Sequence, residues 1–221
     1  MIKHGFALIF IASISAMATS SDSQWTSNWK DYDPEDGLQI ACKTHRSNID
    51  ICRYTTLTDL SVDALVAVNI DIPNLSIWME NIITSEFVDR NSAFDYQVYS
   101  TYNFPGARNR DSLTHSKVTI DHATGAATLA FQSTTNDKKP NDISFVRFPL
   151  IKGAWKFIPQ ANGQTQVQYS TLALPGAYVQ EYLSDIYNYT SRGAGAKTVQ
   201  NLLDIALQPQ YQRFEISSVT K

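Results

Sequence analysis

The strongest constraint on how this chain can fold is a change of hydrophobic period. Across residues 86–173 apolar and polar positions alternate, in segments rich in Val, Phe, Tyr and Thr that are broken by Gly, Asn, Asp and Pro. That alternation marks half-buried antiparallel strands. Strands are predicted over 94–102, 112–120, 126–133, 144–150, 154–159 and 165–173, with turns at 121–125, 136–141 and Asn162-Gly163. The last pair tolerates the positive φ of a type I′ hairpin turn. Pro175 and Gly176 end the alternation, and residues 178–207 return to helical spacing. Val179, Tyr182, Leu183, Ile186, Leu202, Leu203 and Ala206 would form the buried stripe of that helix, with Gly193 and Gly195 weakening its middle. A curved antiparallel sheet that ends in one long amphipathic helix must bury its concave face against it. Side chains can fill the space between them or leave a chamber, and periodicity does not separate the two.

Upstream of the sheet, Trp25 and Trp29 stand four apart and predict a short helix within 22–31. Gly37 opens an alternating run through Leu38, Ile40 and Cys42; a turn at 46–48 and a second strand over 49–56 complete a hairpin. Cys42 and Cys52 are symmetric about Ser47 and would face each other across it, either as a disulfide or as two buried thiols. Ser61 is a plausible N-cap for a helix over 62–70, and Leu75, Trp78, Met79 and Ile82 predict a second helix ending near Asn81.

The start of the chain bears on compartment. Lys3 precedes an apolar stretch over 5–14, followed by small residues at Ala16 and Ala18, the three-part pattern of a secretory signal peptide cleaved after Ala18. An exported, periplasmic or secreted protein is therefore expected, with residues 19–221 as a single domain, an ordinary size for one self-supporting core. The chain has 18 Lys and Arg against 21 Asp and Glu, a net charge of −3, spread without runs of either sign. That balance argues against nucleic acid and against anionic membrane surfaces as partners. The sequons at Asn74 and Asn188 fall in predicted helices and read as chance occurrences.

The run KGAWKFIP over 152–159, the NGQTQVQY hairpin, the Leu174-Pro175-Gly176-Ala177 bend and the helix beginning YVQEYL together resemble the C-terminal half of bacterial START domains, with Thr198 to Leu202 similar to the family's closing Thr-x-x-x-Leu element. Asn109-Arg110-Asp111 stands where the family carries an Arg-Asp pair, and the first hairpin and following helix are similar too, so the likeness spans residues 24–207. Two loops depart from the pattern: Phe104-Pro105-Gly106-Ala107 replaces a Pro-Trp-Pro element, and the 174–177 bend lacks the family's Asp-Pro-Gly-Gly. The resemblance implies an α+β helix-grip fold, a curved antiparallel sheet wrapped around a long C-terminal helix. It also implies noncovalent binding of one lipid or other hydrophobic ligand by a monomer, with transient membrane contact and no cofactor or metal.

By strand alternation and helical spacing the candidate cavity walls are Tyr96, Val98, Phe148, Trp155, Phe157, Tyr169, Leu183 and Ile186; ordinary packed core is the alternative for each. Arg110 with Asp111 as its carboxylate partner is the candidate polar anchor, or else a pair that fixes a loop. Beyond the predicted leader, His45, His115 and His122 form no recognisable catalytic word, and no Gly-x-Ser-x-Gly, His-Glu-x-x-His or phosphate-loop motif occurs. A helix-grip enzyme and a ligand-free interaction module are the two other readings.

Overall fold

The structure, a computed structural model, describes residues 27–35 and 37–219. The predicted signal peptide and Trp25 lie outside them. The chain opens with β1 (Lys30–Glu35), β2 (Leu38–Thr44) and β3 (Asp50–Thr58). Where a helix was expected around Trp29, β1 pairs with the free edge of β2, through Lys30 opposite Cys42 and Tyr32 opposite Ile40. Two tryptophans at helical spacing cannot outweigh a complete strand ladder, because an isolated short helix is marginal. Trp29 instead carries Arg53 and Lys43 over its ring at 4.7 and 5.1 Å. Cys42 and Cys52 sit opposite each other in the β2–β3 ladder with Cα atoms 4.1 Å apart, and a disulfide joins them.

Then come α1 (Val62–Ile70), capped by the Ser61 hydroxyl accepting the Ala64 N–H at 3.1 Å, a tight 3-10 turn and the single-turn α2 (Leu75–Trp78). The six strands of the main run are β4 (Ile82–Ser92), β5 (Asp95–Tyr102), β6 (Arg110–Ile120), β7 (Ala127–Ser133), β9 (Leu150–Pro159) and β10 (Thr165–Leu174), with the two-residue β8 (Val146–Arg147) between β7 and β9. The sheet order is β1-β2-β3-β10-β9-β7-β6-β5-β4, antiparallel throughout, while β8 pairs in parallel with β6. Pairing of β3 with β10 joins the first hairpin to the last strand, so one continuous sheet curls around its own concave face.

Four expectations change. A long strand, β4, follows the turn after α2 where no strand was predicted, and three register shifts against β5 explain why its alternation was hard to see. The strand expected over 144–150 shrinks to β8. At the β9–β10 hairpin only Gly163 takes positive φ, and its N–H bonds to the Gln160 carbonyl at 3.0 Å. This is an i to i+3 turn closed by a left-handed glycine, not a type I′ turn. The C-terminal helix is broken at Leu183 into α3 (Ala177–Tyr182) and α4 (Ser184–Ala206), followed by the short α5 (Pro209–Gln212). The break re-phases the buried face: Val179, Ala196, Val199, Leu202 and Ala206 are buried, whereas Tyr182 and Ile186 are mostly exposed.

Two glycines set close approaches. A Cβ on Gly153 would lie 2.2 Å from the Ser170 carbonyl oxygen and 2.6 Å from the Phe131 ring, so glycine lets that ring approach β9 closely. A Cβ on Gly195 would lie 2.3 Å from the Tyr54 hydroxyl, so glycine lets α4 rest on β3. No helix among the described residues is long and apolar enough to cross a membrane.

Candidate ligand-binding cavity

Between the concave face and the roof formed by α2, α3 and α4 lies a cavity of about 540 Å³. Strand alternation aims Tyr96, Val98, Ser100 and Tyr102 of β5 into it, with Thr114 and Ser116 of β6 beside them. Leu129 and Phe131 of β7, Ile151 and Trp155 of β9, and Tyr169 and Thr171 of β10 continue the wall. Ile72, Leu75, Val179, Leu183 and Ile186 roof it with apolar groups, and α4 adds the small residues Ser191, Gly193 and Ala194. The aromatic side chains of the wall pack on one another. Trp155 stacks on Tyr169 with ring centroids 4.1 Å apart and meets the edge of Trp78 at 5.9 Å. At one end Phe104 stacks on Tyr187 at 5.9 Å, and the Tyr187 hydroxyl donates to the Ala173 carbonyl at 3.0 Å.

Seven of the eight predicted wall residues line this cavity: Tyr96, Val98, Phe148, Trp155, Tyr169, Leu183 and Ile186. Phe157 does not; it is fully buried in the core beside Trp155, its ring 6.1 Å from the indole. Arg110 and Asp111 are both buried but do not pair. Neighbouring residues of a strand point to opposite faces, so Asp111 turns outward to a bidentate pair with Arg147, at 2.9 Å to Nε and 2.7 Å to Nη2. The β6–β8 ladder sets Asp111 opposite Arg147 and fixes that partnership. Arg110 turns inward, donates to the Arg108 and Pro175 carbonyls, and lies 3.6 Å from the centre of the Phe104 ring. Its Nε has no hydrogen-bond partner, and burial lowers its pKa. Phe104 covers it, and Arg110 does not line the cavity.

The lining residues not anticipated include the hydroxyl-bearing Ser100, Thr114, Ser116 and Thr171. Serine and threonine at alternate positions read as a solvent-facing strand edge, and only the register shows that they face inward. Burial raises the pKa of Tyr96, Tyr102, Tyr169 and Tyr187, so all four phenols stay neutral. Glu80 and Lys197 are the ionised side chains of the lining, and they pair with each other at 3.0 Å. The histidines stand elsewhere. His115 bonds Asp95 at 2.9 Å on the outer face, and His45 contacts the Ser47 hydroxyl at 2.7 Å with its pKa lowered by burial.

A sheet gripping a terminal helix around an apolar hollow defines a helix-grip protein. The chain has the fold of STAR-related lipid transfer (START) domains. It superposes on a STAR-related lipid transfer protein from Xanthomonas axonopodis with a TM-score of 0.72, covering 82% of this chain and 100% of that one at 23% identity. Human STARD10 follows at 0.70, with 85% and 77% covered at 15% identity. The lipid transfer and protein localization domain of human StarD13 gives 0.67, with 82% and 90% covered at 14% identity. In sequence the chain is 23% identical over 163 residues to an uncharacterized protein of Pseudomonas aeruginosa, a match covering 72% of this chain and 79% of that protein. No family model matches the chain.

Proposed function

We propose that the protein is an exported, monomeric carrier that binds one lipid or similar hydrophobic molecule noncovalently between the sheet and the C-terminal helices, for transfer or sequestration. The observation that carries this reading is the 540 Å³ cavity, walled by aromatic and aliphatic side chains and a few convergent polar groups. That volume falls in the range of about 300–1,000 Å³ typical of small-ligand sites. The START-like fold supports the same reading. Export draws support from the leader-like pattern over residues 1–18 and from the Cys42–Cys52 bridge, since disulfides persist chiefly in oxidising compartments.

Exchange would take place at a membrane surface met by α3 and the first turns of α4. Tyr178, Tyr182, Ile186 and Tyr189 are each more than three-fifths exposed and follow one another at helical spacing. Tyrosine suits a bilayer interface, with an apolar ring and a polar tip. Ile186 also lines the cavity, so this surface adjoins the ligand's exit.

The test is native mass spectrometry and solvent extraction of protein purified from its own compartment. A copurifying hydrophobic molecule released intact is the expected result. Chemical conversion of that molecule by the protein would replace the carrier with an enzyme. An empty cavity together with a stable protein partner would replace it with an interaction module.

A further inference from the structure

α4 has a second working face, turned away from the ligand cavity. Asp185, Asn188, Tyr189 and Arg192 stand at i, i+3, i+4 and i+7, one stripe of the helix. That stripe lines a cleft of about 480 Å³ whose opposite wall is β1 and the β2–β3 hairpin, through Tyr32, Thr44, Asn48 and Asp50. No residue of this cleft lines the ligand cavity. Asn188 joins the two walls, accepting the Asp50 N–H at 3.0 Å and donating to the Asn48 carbonyl at 2.9 Å. The Tyr54 hydroxyl donates to the Arg192 carbonyl at 3.0 Å, so the walls are held in place before anything enters between them.

The lining is aromatic and charged. The Arg192 guanidinium lies 4.1 Å from the centre of the Tyr32 ring and 5.8 Å from that of Tyr189. Among the described residues it forms an ion pair with neither Asp50 nor Asp185. A guanidinium held by rings rather than by a carboxylate keeps its N–H donors for other partners. Asp50 accepts the Thr44 hydroxyl through one oxygen at 2.8 Å, Asp185 is exposed, and Tyr189 is 72% exposed and offers its ring.

These charges select what fits. Two carboxylates and one guanidinium disfavour a simple anion and a simple cation alike, and a zwitterion leaves one carboxylate unmatched. Adjacent hydroxyls meet all three groups, because each hydroxyl donates to a carboxylate or accepts from a guanidinium. The C–H face of the same molecule rests on an aromatic ring. We propose that this cleft is a second binding site, for a neutral saccharide, with Asp50, Asp185 and Arg192 on its hydroxyls and Tyr189 against its ring. Tyr189 also ends the exposed row proposed to meet a membrane, so the sugar arrives either as a free glycan or as the headgroup of a lipid. The site is independent of the carrier reading.

The test follows backbone amide and Arg192 side-chain resonances by heteronuclear NMR during titration with maltose, lactose and chitobiose, and separately with inorganic phosphate, choline and phosphocholine. At least one disaccharide is expected to shift residues 48–50 and 184–192 saturably, at lower concentration than any charged probe, with the indole resonance of Trp155 in the ligand cavity unmoved. D185A should weaken that sugar by about tenfold, since it removes hydrogen bonds to a charged group. Y189A should weaken it roughly threefold to tenfold. Both side chains are exposed, so the melting temperature should not change in either variant. Flotation with phosphatidylcholine vesicles, with and without a diacylglycerol carrying the sugar that binds, then separates the sources: recovery with the sugar-bearing vesicles alone identifies a lipid headgroup, and recovery with neither identifies a free glycan. No saturable shift from any of the disaccharides, a stronger response to phosphate, choline or phosphocholine, or shifts centred on Trp155 would overturn the saccharide site and leave the carrier standing.

Discussion

Filling the cavity from the helix side separates its role in binding from its role in folding. Tyr187, Thr190, Ala194 and Thr198 fall on one face of α4 at spacings of three and four, and all four line the cavity, with Ala194 at the centre of that face. Ala194→Phe adds six ring carbons there, at most about 180 Å³ at ~30 Å³ per group, a third of the 540 Å³ available. A ligand that fills the space must give up about six methylene-sized contacts at ~0.8 kcal/mol each, or about 5 kcal/mol. That corresponds to a loss of affinity above about a thousandfold. The empty protein responds in the opposite direction. Burying the ring contributes about 1.5–3 kcal/mol, offset by roughly 0.5 kcal/mol of helix propensity. The net gain of about 1–2.5 kcal/mol raises the melting temperature by about 2–10 °C for a domain of this size. Calorimetry on lipid-stripped protein and quantification of the copurifying ligand measure the two effects separately. A variant that keeps its ligand with less than a tenfold loss of affinity would show that the occupied space does not lie under α4.

Three further outcomes follow from the packing. Opening the Cys42–Cys52 bridge, which closes a ten-residue separation, should cost about 2–3 kcal/mol on chain-entropy grounds, read as a fall of several degrees in melting temperature on adding dithiothreitol to the native protein but not to C42S/C52S. Asp111→Ala leaves the Arg147 guanidinium half-buried without its carboxylate and should cost about 3–5 kcal/mol in urea unfolding, whereas D111L/R147M should recover most of it. Alkaline pH should unfold the protein cooperatively. Tyr96, Tyr102, Tyr169 and Tyr187 are raised by burial, and Tyr99 is pushed up to about 12 by burial and the nearby Asp111. Their folded values exceed the unfolded value of 10, so this contribution is complete below pH 10 and is lost as pH rises towards and beyond 12. The urea midpoint should fall over that window, with tyrosinate absorbance rising together with unfolding rather than before it.

The sheet was legible because β5, β7, β9 and β10 alternate cleanly, and a period of two is a local property of the chain. What escaped the sequence depended on partners. β4 carries three register shifts, and each moves its apolar residues to the other face, so no single alternation runs through it. β1 exists because β2 offers a free edge, which Trp29 and its neighbours do not announce. The break at Leu183 moves Tyr182 and Ile186 off the stripe that unbroken helical counting assigned them. In the site, the apolar walls were readable as apolar positions on a concave face. The hydroxyls of the lining were not, because Thr114 and Ser116 carry the composition of an exposed strand and are inward only by register. Arg110 and Asp111 were misjoined for the converse reason: adjacency in sequence places two side chains on opposite faces of a strand, so a salt bridge within the dipeptide was excluded by the geometry of β6 itself.

A hollow this large also has to be kept from collapsing. Side chains that face a space of about 540 Å³ lose the close contacts they would have in a packed core. Water on the hydroxyl wall offsets part of this, but α4 would still gain by settling onto the sheet unless it is held off. Polar ties hold it at intervals along its length. The Asn188 side chain accepts the Asp50 N–H at 3.0 Å and donates to the Asn48 carbonyl at 2.9 Å, and the Tyr54 hydroxyl donates to the Arg192 carbonyl at 3.0 Å. Further along, the Thr198 hydroxyl accepts the Glu80 N–H at 3.1 Å and the Asn201 amide donates to the Trp78 carbonyl at 3.0 Å. The first group of ties ends on the β2–β3 hairpin, which the Cys42–Cys52 bridge stiffens, and the second on the turn carrying the buried Trp78. Together with the Tyr187 hydroxyl on the Ala173 carbonyl, these ties hold α4 above the concave face. A bound apolar molecule would supply the contacts that this frame denies to the helix.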